Sequence, residues 1–391
     1  MDTIFQNGSV WSEDHFVQAD IVIRDGRIIS VGNAGCATSP GSEKAERIDV
    51  RGKYILPGII DCHWHLGMAN DDPQTMSYYR CSPIEGAYRC ASYAAEMIAG
   101  GFTTVRECGA MYGETVALRD FIQAGKLPGP RLVVCGSAIS IPGGHMPSAV
   151  HVTGSQEARY ATRQLLAEGV DFIKVMLTGG LGRSNEIPDT LEIDLDELEA
   201  ICHEARRAGK PVAVHAHGRQ AMKNAVACGV STIEHATMLD DALADEIAEK
   251  GIFVVPTFSP YGLVAKYGRE RGLDPAVCDS AARLYDAKCE RFLRAYHRGI
   301  KIAYGRDVFY IAPGDVSGEM RFMEDAGVSR VEVIKSATSY AARAIGVDSF
   351  TGSIAPGKAA DLVILGSDPL ADLNAFNRDL EMVIKDGKRF R

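Results

Sequence analysis

Ile59-Ile60-Asp61-Cys62-His63-Trp64-His65 is the stretch on which the reading of this chain turns. It follows Tyr54-Ile55-Leu56-Pro57-Gly58, so an apolar, strand-like run ends in two imidazoles one residue apart. On a strand, side chains at i and i+2 point to the same side. His63 and His65 can therefore reach one metal ion from the carboxyl end of a buried strand. Two histidines on a loop would give the same spelling, and the rest of the chain decides between the two.

Four more candidate ligands lie in or at the end of apolar runs. Lys174 sits within Asp171-Phe172-Ile173-Lys174-Val175-Met176-Leu177, which reads as a buried parallel strand. His215 closes Pro211-Val212-Ala213-Val214-His215, His235 closes Val230-Ser231-Thr232-Ile233-Glu234-His235, and Asp307 closes Ile300-Lys301-Ile302-Ala303-Tyr304-Gly305-Arg306-Asp307. A lysine is almost never fully buried without a partner. One account of Lys174 is a salt-bridged strand lysine. The other is chemical: a buried, uncharged amine can take up carbon dioxide, and the carbamate is a two-oxygen anionic bridge between metals. In company with four histidines and an aspartate, the second is the expectation.

The segments between these runs alternate strand-like and helical patterns, the latter at 194–208 and 329–345. That alternation predicts parallel strands with helical crossovers, an α/β fold. Six ligands on separated strands must converge at one place, which suits the carboxyl-end face of a closed (β/α)8 TIM barrel better than an open sheet. The barrel is expected over 57–347. Residues 1–56 carry short β-runs around turns, among them Asp20-Ile21-Val22-Ile23-Arg24, Asp25-Gly26, and Arg27-Ile28-Ile29-Ser30-Val31-Gly32. Asp-Gly between alternating runs signals a hairpin. Residues 348–391 repeat the pattern around Asp386-Gly387. Neither end has enough strands to bury a sheet face alone, so the two together are expected to make one small β-sandwich domain.

Composition bounds the function. A chain of 391 residues, 46% hydrophobic, can bury a large core. The net charge of −9, from 42 basic and 51 acidic residues without a basic run, argues against a nucleic-acid partner. Ten scattered cysteines without a Cys-x-x-Cys pair read as reduced core residues of a cytoplasmic protein. The start, Met1-Asp2-Thr3-Ile4-Phe5-Gln6-Asn7, has no signal-peptide pattern, and no stretch reaches the length of a membrane span.

The order His-x-His, Lys, His, His, Asp resembles the amidohydrolase superfamily, in its binuclear class with a carboxylated lysine. Residues 56–65 match its pattern near the start, and Gly352-Ser353-Ile354-Ala355-Pro356-Gly357-Lys358-Ala359-Ala360-Asp361-Leu362-Val363 near the end. Within the superfamily the chain is most similar to imidazolonepropionase-related, Xaa-Pro-type dipeptidases and ochratoxin-type amidases. The resemblance implies two divalent ions, with zinc suited to nitrogen and carboxylate ligands without thiolate. His63, His65 and Asp307 would hold the first, His215 and His235 the second, with the Lys174 carbamate and one water shared. The metals would lower that water's pKa towards neutrality. Asp307 would take the nucleophile's proton and hand it to the departing amine.

Further residues follow from the same resemblance. His145, in Ile141-Pro142-Gly143-Gly144-His145 after the strand-like 132–135, and Tyr261, in Pro256-Thr257-Phe258-Ser259-Pro260-Tyr261, match positions that contact the carbonyl or the developing oxyanion. An imidazole or phenol can donate a hydrogen bond there. A loop histidine and an aromatic lid are the plainer readings. His217 is expected behind the ligands rather than among them, as a further candidate for substrate binding. Arg183, in the loop after Lys174, is a candidate for a substrate carboxylate. Arg306 departs from the small residue usual before the eighth-strand aspartate, and is expected to form a structural salt bridge or else to reach the pocket.

The implied activity is hydrolysis of the amide in a dipeptide or N-acyl amino acid, ochratoxin-like amides included, by a homo-oligomeric enzyme. Ring-opening of a lactam or imide, and hydrolysis of a carbamate or urea, are the rival chemistries. A non-catalytic binding module is the remote one, because all six ligands are present.

Overall fold

The computed structural model describes residues 2–33, 45–68, 80–180, 187–307 and 311–391. Eight short strands carry its centre: β1 (Ile59–Trp64), β2 (Phe102–Glu107), β3 (Arg131–Val134), β4 (Ile173–Met176), β5 (Val212–Ala216), β6 (Thr232–His235), β7 (Phe253–Val255) and β8 (Lys301–Ile302). Consecutive strands pair parallel in two arcs, β1 to β3 and β4 to β8. Both seams are closed by main-chain bonds. Asp171 N–H donates to the Val134 carbonyl at 2.7 Å, and Cys62 N–H to that of Tyr304 at 2.9 Å. The result is the expected barrel.

The intervening helices bury one stripe each against it. Leu195–Arg207 starts at the Asp194 cap, whose side chain and that of Glu197 satisfy each other's main-chain N–H groups. Leu198, Ile201, Cys202 and Ala205 recur at helical spacing and are buried, each large apolar side chain contributing roughly 1.5–3 kcal/mol. The helical pattern at 329–345 is two helices, Arg330–Ser336 and Ser339–Ala344, broken at Thr338. The break frees carbonyls for the barrel. Ser336 O accepts from Tyr304 N–H and Ala337 O from Ile60 N–H, both at 2.9 Å.

Both chain ends build a second, mixed sheet of eight strands. They meet where Tyr54–Pro57 pairs antiparallel with Leu362–Leu365. Asp25-Gly26 and Asp386-Gly387 make the hairpin turns, all four residues with φ between 49° and 78°. The expected sandwich is realised as one continuous sheet that bends over its own core of Phe5, Ile21, Ile55, Leu362 and Ile364. Bonds from Ile28 N–H to Lys358 O and from Ala360 N–H to Gly26 O close it on itself.

All nine cysteines among the described residues are free thiols. Among those residues no helix is long and apolar enough to cross a membrane.

Candidate metal centre

The carboxyl ends of the barrel strands bring five of the six predicted ligands, with His217 as a sixth residue, into two triads. His63, on β1, and His65, just past it, face Asp307, which lies five residues beyond β8. Asp307 Oδ1 is 3.7 Å from Nε2 of each imidazole. That is too far for hydrogen bonds, and it leaves three donor atoms around one point, the arrangement a divalent cation takes. His215 on β5, His217 just beyond it and His235 at the end of β6 have ring nitrogens within 4.8 Å of one another. The triads adjoin, with the His63 and His235 ring centroids 5.0 Å apart.

Two of these positions depend on unusual backbone. His235 and Asp307 have φ of 72° and 62°, in the left-handed region that costs a non-glycine residue about 1–3 kcal/mol. Glu234 and His235 are consecutive, yet both turn towards His63. Strand alternation would separate them, and the left-handed residue brings His235 back.

Each ligand ring is oriented from behind. His63 Nδ1 is 2.8 Å from a Glu234 oxygen, His65 Nδ1 2.9 Å from Gly109 O, and His235 Nδ1 2.6 Å from Thr257 Oγ1. In these three rings Nε2 is the nitrogen left for a metal, a division of labour that fixes tautomer and direction. His215 is reversed, its Nε2 lying 3.2 Å from Gly179 O. His217 is within ligand range, but both its nitrogens have partners: Thr237 Oγ1 at 2.8 Å from Nδ1, and the Tyr261 hydroxyl at 3.0 Å from Nε2.

Lys174 is fully buried, and its Nζ has no hydrogen-bond partner among the described residues. An unsatisfied buried amine costs several kcal/mol. Its charge is felt by His63, His65, His215 and Asp307, members of both triads.

Electrostatics favour metal over protons. Burial, reinforced by neighbouring cations, holds the imidazoles of His63, His215, His217 and His235 well below the usual histidine range, and that of His65 at about 3. They are neutral at pH 7, the form that binds metal. Burial raises the Asp307 carboxyl to about 6 against the pull of Lys174, His145 and Lys288. Burial acts upward on Glu234 too, but the Arg106 guanidinium, with Lys174 and His63, outweighs it and keeps the carboxyl ionised.

The His145 ring is stacked on His215, with centroids 4.2 Å apart, and the main-chain N–H of His145 donates to a Glu192 carboxylate oxygen at 2.8 Å. Gly180 makes room for it, since a Cβ there would meet the His145 ring at 2.3 Å. Tyr261, in the helix Ser259–Tyr267, is brought to the centre by its bond to His217. Arg183 lies outside the described residues. Arg306 takes the structural alternative. It is fully buried, donates to Asp61 at 2.7 Å, and sits 3.9 Å from the Trp64 ring and 4.0 Å from that of Phe102. Asp61 also accepts from the His63 main-chain N–H at 3.0 Å, so the pair ties β1 to the segment that follows β8.

Residue-level reading of the sequence passed over Glu234 and Arg106, which bond to each other at 2.7 Å behind His63. Their signal in the sequence is a charged residue inside an apolar strand run, as at Lys174. A cavity of about 1280 Å3 opens at the amino ends of β3 to β6. None of the ligands lines it.

Residues 54–390 match the family model described as the amidohydrolase family. The chain belongs to that family. It is a metal-dependent hydrolase of C–N bonds, and its two histidine-rich triads, each able to hold a metal ion, suggest a binuclear site. Among its relatives is ochratoxinase from Aspergillus niger, 29% identical over 95% of this chain and 83% of that protein. Two solved structures cover 100% of this chain and 99% of their own. One is a prolidase complexed with N-methylphosphonate-L-proline, 31% identical with a TM-score of 0.91. The other is a Xaa-Pro dipeptidase with methionine bound in its active site, 30% identical with a TM-score of 0.89.

Proposed function

We propose that this amidohydrolase cleaves the amide of a dipeptide or N-acyl amino acid, ochratoxin-like amides included. In this reading the catalytic unit is 57–347, supported by 1–56 with 348–391. His63, His65 and Asp307 would hold one divalent ion and His215 and His235 the other, with Lys174, as its carbamate, the ligand common to both. Zinc suits that donor set. The observation that supports the reading is Lys174, a fully buried amine with no hydrogen-bond partner among the described residues, in a barrel whose strand ends carry two ligand triads.

Bound there, two divalent ions supply Lewis acidity and a water acidic enough to be a nucleophile near neutral pH. The chain supplies the rest. Asp307 accepts the proton of the attacking water and delivers it to the amide nitrogen, without which an amine leaves badly. Water and amide are consumed, and a carboxylic acid and an amine leave. The His145 imidazole, held against His215, donates to the carbonyl oxygen as it gains charge. Tyr261 and His217, already bonded to each other, line the same space. The named activities of the dipeptidase and ochratoxinase relatives support a substrate with a carboxylate close to the scissile amide, for which Arg183 is the proposed cation.

The test is a substrate panel on metal-replete enzyme: Xaa-Pro and other dipeptides, N-acyl amino acids, cyclic imides, carbamates and arylureas. Masking the free carboxylate as an amide is expected to lower kcat/KM at least tenfold. Equal turnover of the neutral analogue, or preference for the cyclic or urea substrates, would replace this reading with a ring-opening or carbamate hydrolase.

A further inference from the structure

Behind the second triad lies a pair of buried opposite charges that do not touch each other. Lys288, 1% exposed on the helix Pro275–His297, donates to the carbonyls of Pro256 and Thr257, the latter at 3.2 Å. Glu319, fully buried on the helix Ser317–Asp325, accepts from the next two main-chain N–H groups, Phe258 at 2.7 Å and Ser259 at 2.6 Å. An ammonium thus takes two successive carbonyls and a carboxylate the two amides that follow. All four groups belong to the turn after β7. Burial pushes the lysine down and the glutamate up, so each charge is held at a cost that turn dipoles must offset.

The turn needs holding. Thr257 has a φ of 47°, a conformation unfavourable for a β-branched residue. Its Oγ1 is the partner of His235 Nδ1 at 2.6 Å. Tyr261 follows from the same turn, with Lys288 Nζ 4.6 Å from its ring centroid and its hydroxyl on His217.

We propose that Lys288 and Glu319 are positioning residues that clamp the 256–259 turn, so that Thr257 aims His235 and Tyr261 aims His217. The inference rests on His235 being a ligand of the second metal. It assigns the clamp to one half of the binuclear site: the first triad is oriented by Glu234 and Gly109, from other elements.

The experiment is chelator competition with zinc alone on metal-stripped protein, for wild type, Lys288→Met, Glu319→Gln, the double variant Lys288→Met/Glu319→Leu, and Thr257→Val. Urea unfolding of the same metal-free samples runs alongside. Lys288→Met is expected to weaken one of the two zinc sites by 10–100-fold, as for an orienting partner, and to leave the other within twofold. Its kcat should fall with little change in KM. The double variant removes both buried charges, so its urea midpoint should recover towards wild type while the weak site stays weak. Recovery of both together would mean a merely structural pair and would overturn the proposal. So would unchanged zinc affinities in Lys288→Met and Thr257→Val. Should Lys288→Met fail to fold, Glu319→Gln decides in its place: a zinc site weakened as in Thr257→Val supports the clamp, and unchanged zinc affinities overturn it. Wild type that binds a single zinc ion would instead overturn the binuclear reading, a distinguishable failure.

Discussion

Replacing Glu234 with glutamine should have two separable effects, and the structure sets the size of each. Glu234 is fully buried, and its two carboxylate oxygens serve different partners, Arg106 at 2.7 Å and His63 Nδ1 at 2.8 Å. Glutamine keeps the shape and an acceptor but removes the charge. Arg106 keeps its bonds to Cys62 O and Thr232 Oγ1, yet it becomes an uncompensated buried cation, a loss of roughly 3–5 kcal/mol. His63 loses a charged orienting partner, which typically weakens a metal site 10–100-fold, or about 1.4–2.8 kcal/mol. The first effect is read from the urea midpoint of metal-free protein, the second from chelator competition on the first metal site. Acid removes the same contribution. The folded Glu234 carboxyl is held below its usual value, so the stability it contributes is present at neutral pH. That stability is lost as pH falls below the usual glutamate range towards the folded value. The gap between wild type and variant should narrow accordingly. Glu234→Asp, which keeps the charge, should lose less metal affinity than Glu234→Gln. A variant with wild-type midpoint and wild-type zinc affinity would refute the reasoning, since a buried guanidinium cannot lose its counter-charge without consequence.

Metal analysis of protein prepared without chelators should approach two ions per chain; a value near one with unmodified Lys174 would make the centre mononuclear. Asp307→Asn should keep much of the metal and lose several orders of magnitude in kcat, whereas His145→Ala should lose on the order of 10²–10³-fold, the size expected for one oxyanion donor. Near-normal turnover in Asp307→Asn, measured at saturating metal, would exclude the proposed proton carrier. Glu107 gives a pH prediction with the opposite sign to Glu234. Burial, then repulsion from Glu114, raises its carboxyl to about 8 against bonds from Thr115 and Gly109 N–H. From about pH 4.5 to 8 the folded chain keeps a proton the unfolded chain has released, so stability declines across that window by up to about 1.4 kcal/mol per pH unit. Glu107→Gln should lack that decline when urea midpoints at pH 5 and pH 8 are compared.

The sequence by itself determined which residue types stand at the ends of which strands. His63 and His65 share a side because strand side chains alternate, and Lys174 is conspicuous because an ammonium does not enter an apolar run unaided. The Asp-Gly turns and the capped helix at 194–208 are equally local, written in conformational preferences of a few neighbouring residues. What needed the tertiary structure was every relation between distant segments. His235 and Asp307 adopt left-handed backbone against their intrinsic preference, held there by the barrel around them. Glu234 finds Arg106, and Lys288 and Glu319 find the turn after β7, because the folded barrel must satisfy charges it has buried, and no periodicity encodes which partner lies across it. The break at Thr338 and the inward lock of Arg306 on Asp61 have the same origin. Barrel closure demands main-chain partners for β1 and β8, and the nearest available carbonyls and carboxylates are fixed by three-dimensional packing rather than by local sequence.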